Sequence, residues 1–178
     1  MINKDGDFSS HIDIGEGSVF SFVEWGDYNN DGYLDILYTK QDTTKIFKNE
    51  GNGTFTDIGV SLPGVYNTDV DDNPINWGDI DNDGDLDFVL SGRSGDPMTR
   101  IYTNEGNGNF EYYPTGMEGL ENSNLQFGDA DNDGDLDLLI AGRTSDNDDF
   151  TKIYLNTSDK SNTLPSAPTN LGMNYLES

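Results

Sequence analysis

The sequence predicts an all-β chain whose short antiparallel strands form repeated four-stranded units. Three observations predict it. An acidic nine-residue loop occurs three times, its first residue falls at 27, 79 and 129, and a short apolar run leaves every copy. A period of about 50 residues holding four short strands is the sequence signature of a β-propeller blade. No helix of convincing length is expected. Leu120 to Leu125 has the best helical spacing, but Asn and Ser interrupt it, and it reads as a loop.

Taken in order, Asn3-Lys4-Asp5-Gly6-Asp7-Phe8 is a shortened hairpin signal, after which Phe8 to Ile14 reads as an orphan outer strand. An aromatic-ended strand then reaches Trp25-Gly26 and the first loop. The apolar run Ile36-Leu37-Tyr38 leaves that loop as a second strand. A third strand is expected around Ile46-Phe47 and a fourth around Phe55 to Ile58, joined by the Gly-rich hairpin Asn49-Glu50-Gly51-Asn52-Gly53. The second repeat brings Trp77-Gly78, Phe88-Val89-Leu90, Ile101-Tyr102 and Asn104-Glu105-Gly106-Asn107-Gly108 at the same spacing. The third brings Phe127-Gly128, Leu138-Leu139-Ile140 and Lys152-Ile153-Tyr154-Leu155-Asn156, but Thr157-Ser158-Asp159 abandons the hairpin pattern. The expected organisation is therefore an orphan strand in 1–14, repeats near 15–65, 66–117 and 118–157, and a tail in 158–178. That amounts to about three blades in permuted order, either a partial propeller or half of a dimeric ring.

The three loops are Asp27-Tyr28-Asn29-Asn30-Asp31-Gly32-Tyr33-Leu34-Asp35, Asp79-Ile80-Asp81-Asn82-Asp83-Gly84-Asp85-Leu86-Asp87 and Asp129-Ala130-Asp131-Asn132-Asp133-Gly134-Asp135-Leu136-Asp137. Oxygen side chains at loop positions 1, 3, 5 and 9, with Gly at position 6 for the sharp turn, converge hard oxygen ligands on one point, as Ca2+ requires. The candidate ligands are the side chains of Asp27, Asn29, Asp31 and Asp35, of Asp79, Asp81, Asp83 and Asp87, and of Asp129, Asp131, Asp133 and Asp137. The backbone carbonyls of Tyr33, Asp85 and Asp135 complete the three sets at position 7. Asp/Asn/Gly stretches also form plain solvated turns. Three copies with one internal spacing argue against that reading, because crowded carboxylates without a cation repel one another. An EF-hand is excluded as well. It needs a Glu at position 12 and flanking helices, whereas Tyr38, Leu90 and Ile140 stand there, inside strand-forming runs.

Together, the aromatic-Gly-Asp lead, the nine-residue loop and the Asn-Glu-Gly-Asn-Gly-x-Phe hairpin resemble FG-GAP/VCBS repeats, the calcium-bearing blades of the integrin alpha chain propeller and of many secreted bacterial proteins. The resemblance covers roughly residues 1–157. It implies β-propeller blades with Ca2+ held between the first and second strands of each, here three sites. It does not imply one function, since such propellers serve adhesion, glycan recognition and as accessory domains of enzymes.

Composition agrees. With 34 acidic against 9 basic residues, the net charge of −25 excludes the positive footprint that nucleic acid demands. Fourteen of those acids lie in the loops or, as Glu24, just ahead of them; three bound Ca2+ would leave the chain near −19, repelled by anionic membranes. Cysteine is absent, so no disulfide can staple the fold, and calcium would take that role in extracellular fluid. No run approaches the ~20 apolar residues of a membrane span, and the N-terminus lacks a signal-peptide core. A mature segment of an exported, secreted or cell-surface chain is expected. The tail Leu164-Pro165-Ser166-Ala167-Pro168-Thr169-Asn170-Leu171 reads as an extended linker and resembles the lead-in to a fibronectin type III domain.

Catalysis is not expected. Three equivalent acid clusters do not make one active site, and His11, the only histidine, has no cysteine to pair with. The expected function is a noncatalytic calcium-stabilised module for adhesion or for glycan or protein recognition. The alternative is an accessory propeller of a secreted carbohydrate-active enzyme whose catalytic domain lies elsewhere. Arg93 and Arg143 recur after the second strand; each could fork onto a ligand carboxylate or tie down its own loop. Trp25, Trp77 and Phe127 read as packing between blades rather than as sugar platforms. Closed propellers need at least about four blades, so two copies exchanging the N-terminal outer strand are expected to close a six-bladed homodimeric ring.

Overall fold

The computed structural model describes residues 11–15, 21–65 and 72–157. Among them are three antiparallel sheets and no helix. The first sheet is β1 (Phe22–Gly26), β2 (Asp35–Lys40), β3 (Thr43–Asn49) and β4 (Phe55–Asp57), in that spatial order. The second repeats it with β5 (Ile75–Gly78), β6 (Asp87–Ser94), β7 (Asp96–Asn104) and β8 (Phe110–Tyr113). The third has three strands, β9 (Glu121–Gly128), β10 (Asp137–Arg143) and β11 (Asp149–Tyr154), with β10 in the middle. The sheets are blades of an open arc.

The strands follow from their residues. β2 and β6 lie inside their sheets with a neighbouring strand on either side, and both of their faces are covered, so Ile36-Leu37-Tyr38 and Phe88-Val89-Leu90 are apolar without alternation. The hairpin from β3 to β4 closes through Glu50 N–H donating to the Thr54 carbonyl at 3.0 Å, and that from β7 to β8 through Glu105 N–H to the Asn109 carbonyl at 2.8 Å. Gly51 and Gly53, and Gly106, Asn107 and Gly108, supply the left-handed backbone that these turns demand.

Blades pack face to face. Leu37 and Ile46 of the first blade meet Ile75, Trp77, Phe88 and Leu90 of the second. On the other side of the second blade, Val89 and Ile101 meet Leu125, Leu138 and Ile140 of the third. The aromatic before each loop is the wedge of the joint. Trp77 lies against Gly26, where an added Cβ would fall 2.7 Å from the indole Cδ1, and Phe127 lies against Gly78, where the corresponding gap is 2.8 Å. Trp77 also meets Phe88 edge-on at 5.5 Å between ring centroids. The packing role expected of Trp77 and Phe127 is the one observed. Trp25, by contrast, is 59% exposed.

One expectation is corrected. Leu120 to Leu125, read as a loop, lies almost wholly within β9. The polar residues that obscured it alternate with buried ones: Ser123 and Leu125 point into the core while Asn124 and Gln126 face outward. Asn122 takes a left-handed φ of 48° beside an irregularity in the pairing of β9 with β10 between Ala141 and Arg143. Pairing with β10, the next strand in the chain, makes it a strand. Residues 8–10 of the expected outer strand Phe8–Ile14 lie outside the described residues, and its described part, 11–14, is not in a strand. The tail 158–178 also lies outside them.

Substituting Gly26→Val is expected to cost about 1–3 kcal/mol by forcing Trp77 off its seat, measured by urea unfolding. An unchanged midpoint would mean that the indole does not need that space.

Candidate metal centre

Each loop is wound by its own carboxylates. The position 1 side chain accepts from the position 6 Gly N–H: Asp27 from Gly32 at 2.8 Å, Asp79 from Gly84 at 3.1 Å and Asp129 from Gly134 at 3.2 Å. Position 3 accepts from the position 5 N–H, as in Asn29–Asp31 at 3.0 Å, Asp81–Asp83 at 3.2 Å and Asp131–Asp133 at 3.3 Å. Position 5 accepts from the position 7 N–H at 2.9–3.0 Å in all three loops. These are successive Asx turns, the local bonds Asp and Asn side chains favour. They place Asn30, Asn82 and Asn132 at φ of 56°, 58° and 63°, and Gly32, Gly84 and Gly134 at 87°, 95° and 96°.

Position 9 is different. Asp35, Asp87 and Asp137 are buried, and both oxygens of each carboxylate accept backbone N–H groups. Asp87 Oδ2 takes the Ile80 N–H and Oδ1 the Asn104 N–H, both at 2.8 Å. Asp137 takes Ala130 at 2.7 Å and Asn156 at 2.8 Å; Asp35 takes Tyr28 at 3.3 Å and Asn49 at 2.7 Å. One carboxylate therefore clips the start of the loop to the end of the blade's third strand.

In the second and third loops these bonds bring three carboxylates together. Asp79, Asp81 and Asp87 each offer an oxygen, all within 4.8 Å of one another, and Asp129, Asp131 and Asp137 do the same. Ligands of one Ca2+, at about 2.4 Å from it, lie at most ~5 Å apart, so each trio could hold a metal ion. The donors are hard oxygens throughout. Asp79 Oδ1 is buried and accepts no hydrogen bond, an acceptor that a cation would satisfy. Burial, aided by the charges of Asp81 and Asp83, pushes the Asp87 carboxyl up to about 6 against two opposing backbone hydrogen bonds. Burial, then Asp83 and Asp81, also raises Asp79, as burial, then Asp31 and Asp27, raises Asp35. Carboxylate charge has thus been gathered at the two trios.

The first loop differs. Its position 3 is the neutral amide of Asn29, and its position 5 carboxylate, Asp31, pairs with Lys48 Nζ at 3.5 Å. Asp31, Asp83 and Asp133 cap their own turns and stand outside the two trios. The side chains at position 7 turn away to a neighbour: Asn30 donates to Asp85 Oδ1 at 2.7 Å and to the Gly84 carbonyl at 3.1 Å, and Asn82 donates to Asp135 Oδ1 at 2.6 Å. Each loop thus holds the next.

Sequence reasoning missed these asparagines. It also missed Asn104, which donates to the Tyr28 carbonyl of the preceding blade at 2.8 Å, and Asn156, which donates to Ile80 at 2.7 Å. Their recurrence once per repeat was the available signal. Arg93 pairs with Glu121 of the next blade at 2.7 Å, and Arg143 with Asp149 of its own hairpin at 3.9 Å. Arg93 thus ties two blades, whereas Arg143 makes only a long contact with an exposed carboxylate.

Residues 27–90 and 79–140 each match the family model of the FG-GAP-like repeat. Each match opens on the first Asp of one loop and closes in the strand leaving the next. No curated protein matches the chain.

Asp87→Asn is expected to lose about 1–3 kcal/mol in chelator as well as in Ca2+, because an amide cannot accept both N–H groups. Asp81→Asn should weaken the protein only in Ca2+; equal losses of both variants in chelator would contradict the division of labour. Glu24 sits half-buried against the Trp77 N–H at 3.2 Å, and burial raises its carboxyl to about 7. Its folded value lies above its unfolded one, so the fold loses stability as pH rises from about 4.5 to 7. Glu24→Gln should therefore melt higher than the parent at pH 8 and no higher at pH 4.5, read in excess Ca2+.

Proposed function

Because the chain belongs to the FG-GAP-like repeat family, we propose that it is a noncatalytic calcium-binding module of a secreted or cell-surface protein, serving adhesion through recognition of a glycan or protein. The observation that carries the calcium reading is the pair of Asp trios, with the buried, unpartnered Asp79 oxygen in the first of them. Asp79, Asp81, Asp83 and Asp87 would hold one ion with the Asp85 carbonyl, and Asp129, Asp131, Asp133 and Asp137 a second with the Asp135 carbonyl. Asp27, Asn29, Asp31, Asp35 and the Tyr33 carbonyl would hold a third. The bound ion supplies positive charge to a rim that otherwise repels itself. The residues around it fix loop shape; none is arranged with a nucleophile or a proton-transfer partner, which favours a structural ion.

Extracellular placement follows from the same demand. A fold without cysteine, carrying −25 charges, gains most from calcium where calcium is plentiful. No helix among the described residues is long and apolar enough to cross a membrane, and a soluble module displayed outside the cell fits the acidic surface.

Thermal unfolding with and without chelator tests the reading. Each site filled at ~100 times its dissociation constant adds about 2.7 kcal/mol, so EDTA should lower the melting temperature by many degrees. Calcium titration should show the first site emptying first, since Asn29 brings no charge and Lys48 occupies Asp31. Asp83→Ala should remove its own site and spare the others. A melting temperature indifferent to EDTA would overturn the proposal.

A further inference from the structure

The two ends of the arc carry the two halves of a joint that the molecule already makes twice. In the joint between the first and second blades, Trp77 and Leu86 lie against Gly26, and Asn104 donates to the carbonyl of Tyr28. Between the second and third, Phe127 and Leu136 lie against Gly78, and Asn156 donates to the carbonyl of Ile80. The projecting half at the free face of the first blade is Trp25, Leu34 and Asn49, the equivalents by register and loop position. The receiving half at the free face of the third blade is Gly128, with the Ala130 carbonyl beyond it.

Both halves are shaped and uncovered. Trp25 and Leu34 are 59% and 56% exposed, whereas Trp77 is 8% exposed. Trp25 already meets Phe55 with ring centroids 6.1 Å apart and a tilt of 54°, the geometry of Trp77 with Phe110 at 6.1 Å and 49°. At the other end, a Cβ built on Gly128 meets nothing within 4 Å, unlike Gly26 and Gly78. Leu139 and Ile153, 46% and 54% exposed, hold the positions that Leu37 and Ile46 occupy at 0% in the first blade. Gln126, Phe127, Leu139 and Ile153 line a shallow, mostly apolar hollow beside Gly128. Apolar side chains placed this way at two ends of one molecule are complementary to each other, not to themselves.

We propose that a second copy of this chain docks head-to-tail, its Trp25 and Leu34 seated on Gly128 and its Asn49 amide reaching Ala130. The contact is heterologous, so two such contacts close a pair of copies into a ring when the rotation per blade allows it. It uses described faces only, and is independent of the exchanged N-terminal strand expected from the sequence. One part of the internal joint is not reproduced: Asn132 would meet the Gly32 carbonyl, but Tyr33 replaces the acid that Asn30 and Asn82 find in Asp85 and Asp135.

Sedimentation equilibrium in Ca2+ at micromolar concentration tests this, with two variants at exposed positions, one of which also gives up the contact of Trp25 with Phe55. Trp25→Glu removes the projecting half and Gly128→Val fills the receiving half. The parent should sediment at a multiple of its 19.6 kDa, twice for a closed pair. Each variant alone should be monomeric with an unchanged circular dichroism spectrum. An equimolar mixture should regain a two-copy species, because one intact half remains on each partner. A monomeric parent, whatever covers the faces within it, would overturn the proposal, as would an oligomer that both variants preserve or a mixture that stays monomeric. Calcium binding to a monomeric parent would leave the metal reading standing and this one lost.

Discussion

The buried carboxylate at the ninth loop position is the constraint on which each blade depends. Asp35, Asp87 and Asp137 sit where water is excluded, and each takes one N–H from the head of its own loop and one from the far end of the third strand. A buried carboxylate is tolerated only when its oxygens are satisfied. Satisfying them draws the loop closed and pins the hairpin strand at one stroke. Asp87 shows the cost most plainly: even with both N–H groups, burial holds its carboxyl up near 6.

From that clip the blades assemble by a second rule, in which a projecting side chain finds a backbone without one. Gly26 and Gly78 are required not for unusual dihedrals but for the space above them, which Trp77 and Phe127 fill. Asn104 and Asn156 then reach across to carbonyls at the second loop position of the blade before. Apolar burial supplies the attraction and the asparagines set the register. Arg93 with Glu121 adds a peripheral tie on one joint only, and such half-exposed pairs contribute little.

Much of this was legible in the sequence because it is local. The acids at alternate positions, the Gly at the sixth and the hairpin Asn-Glu-Gly-Asn-Gly act within a few residues of one another, so spacing alone reveals them. The alternating strands around Ile46 and Ile101 were legible for the same reason. What escaped notice is either hidden by polar residues or depends on partners far along the chain. β9 pairs with the next strand as its counterparts do, but its Asn-Ser-Asn run hides the alternation. Asn30 meets Asp85, and Asn104 meets Tyr28, only once two blades are in contact; nothing in the local pattern marks those asparagines as anything but turn formers. The Asp trios were partly legible: positions 1, 3 and 9 converge, while the fifth position caps its own turn and stands outside the trios.

The left-handed asparagines at the fourth loop position carry a consequence for how disorder spreads. Asn30 and Asn82 aim at the following blade because their loops are wound, with φ near +57°. Unwinding either loop therefore withdraws this hydrogen bond from the joint with the following blade, where the loop already contributes a backbone carbonyl. In the language of one-dimensional lattices, the intrinsic and the nearest-neighbour terms share a single degree of freedom. Loop winding and blade docking are therefore coupled in both of the joints, and a loop that unwinds on either side of one loosens it.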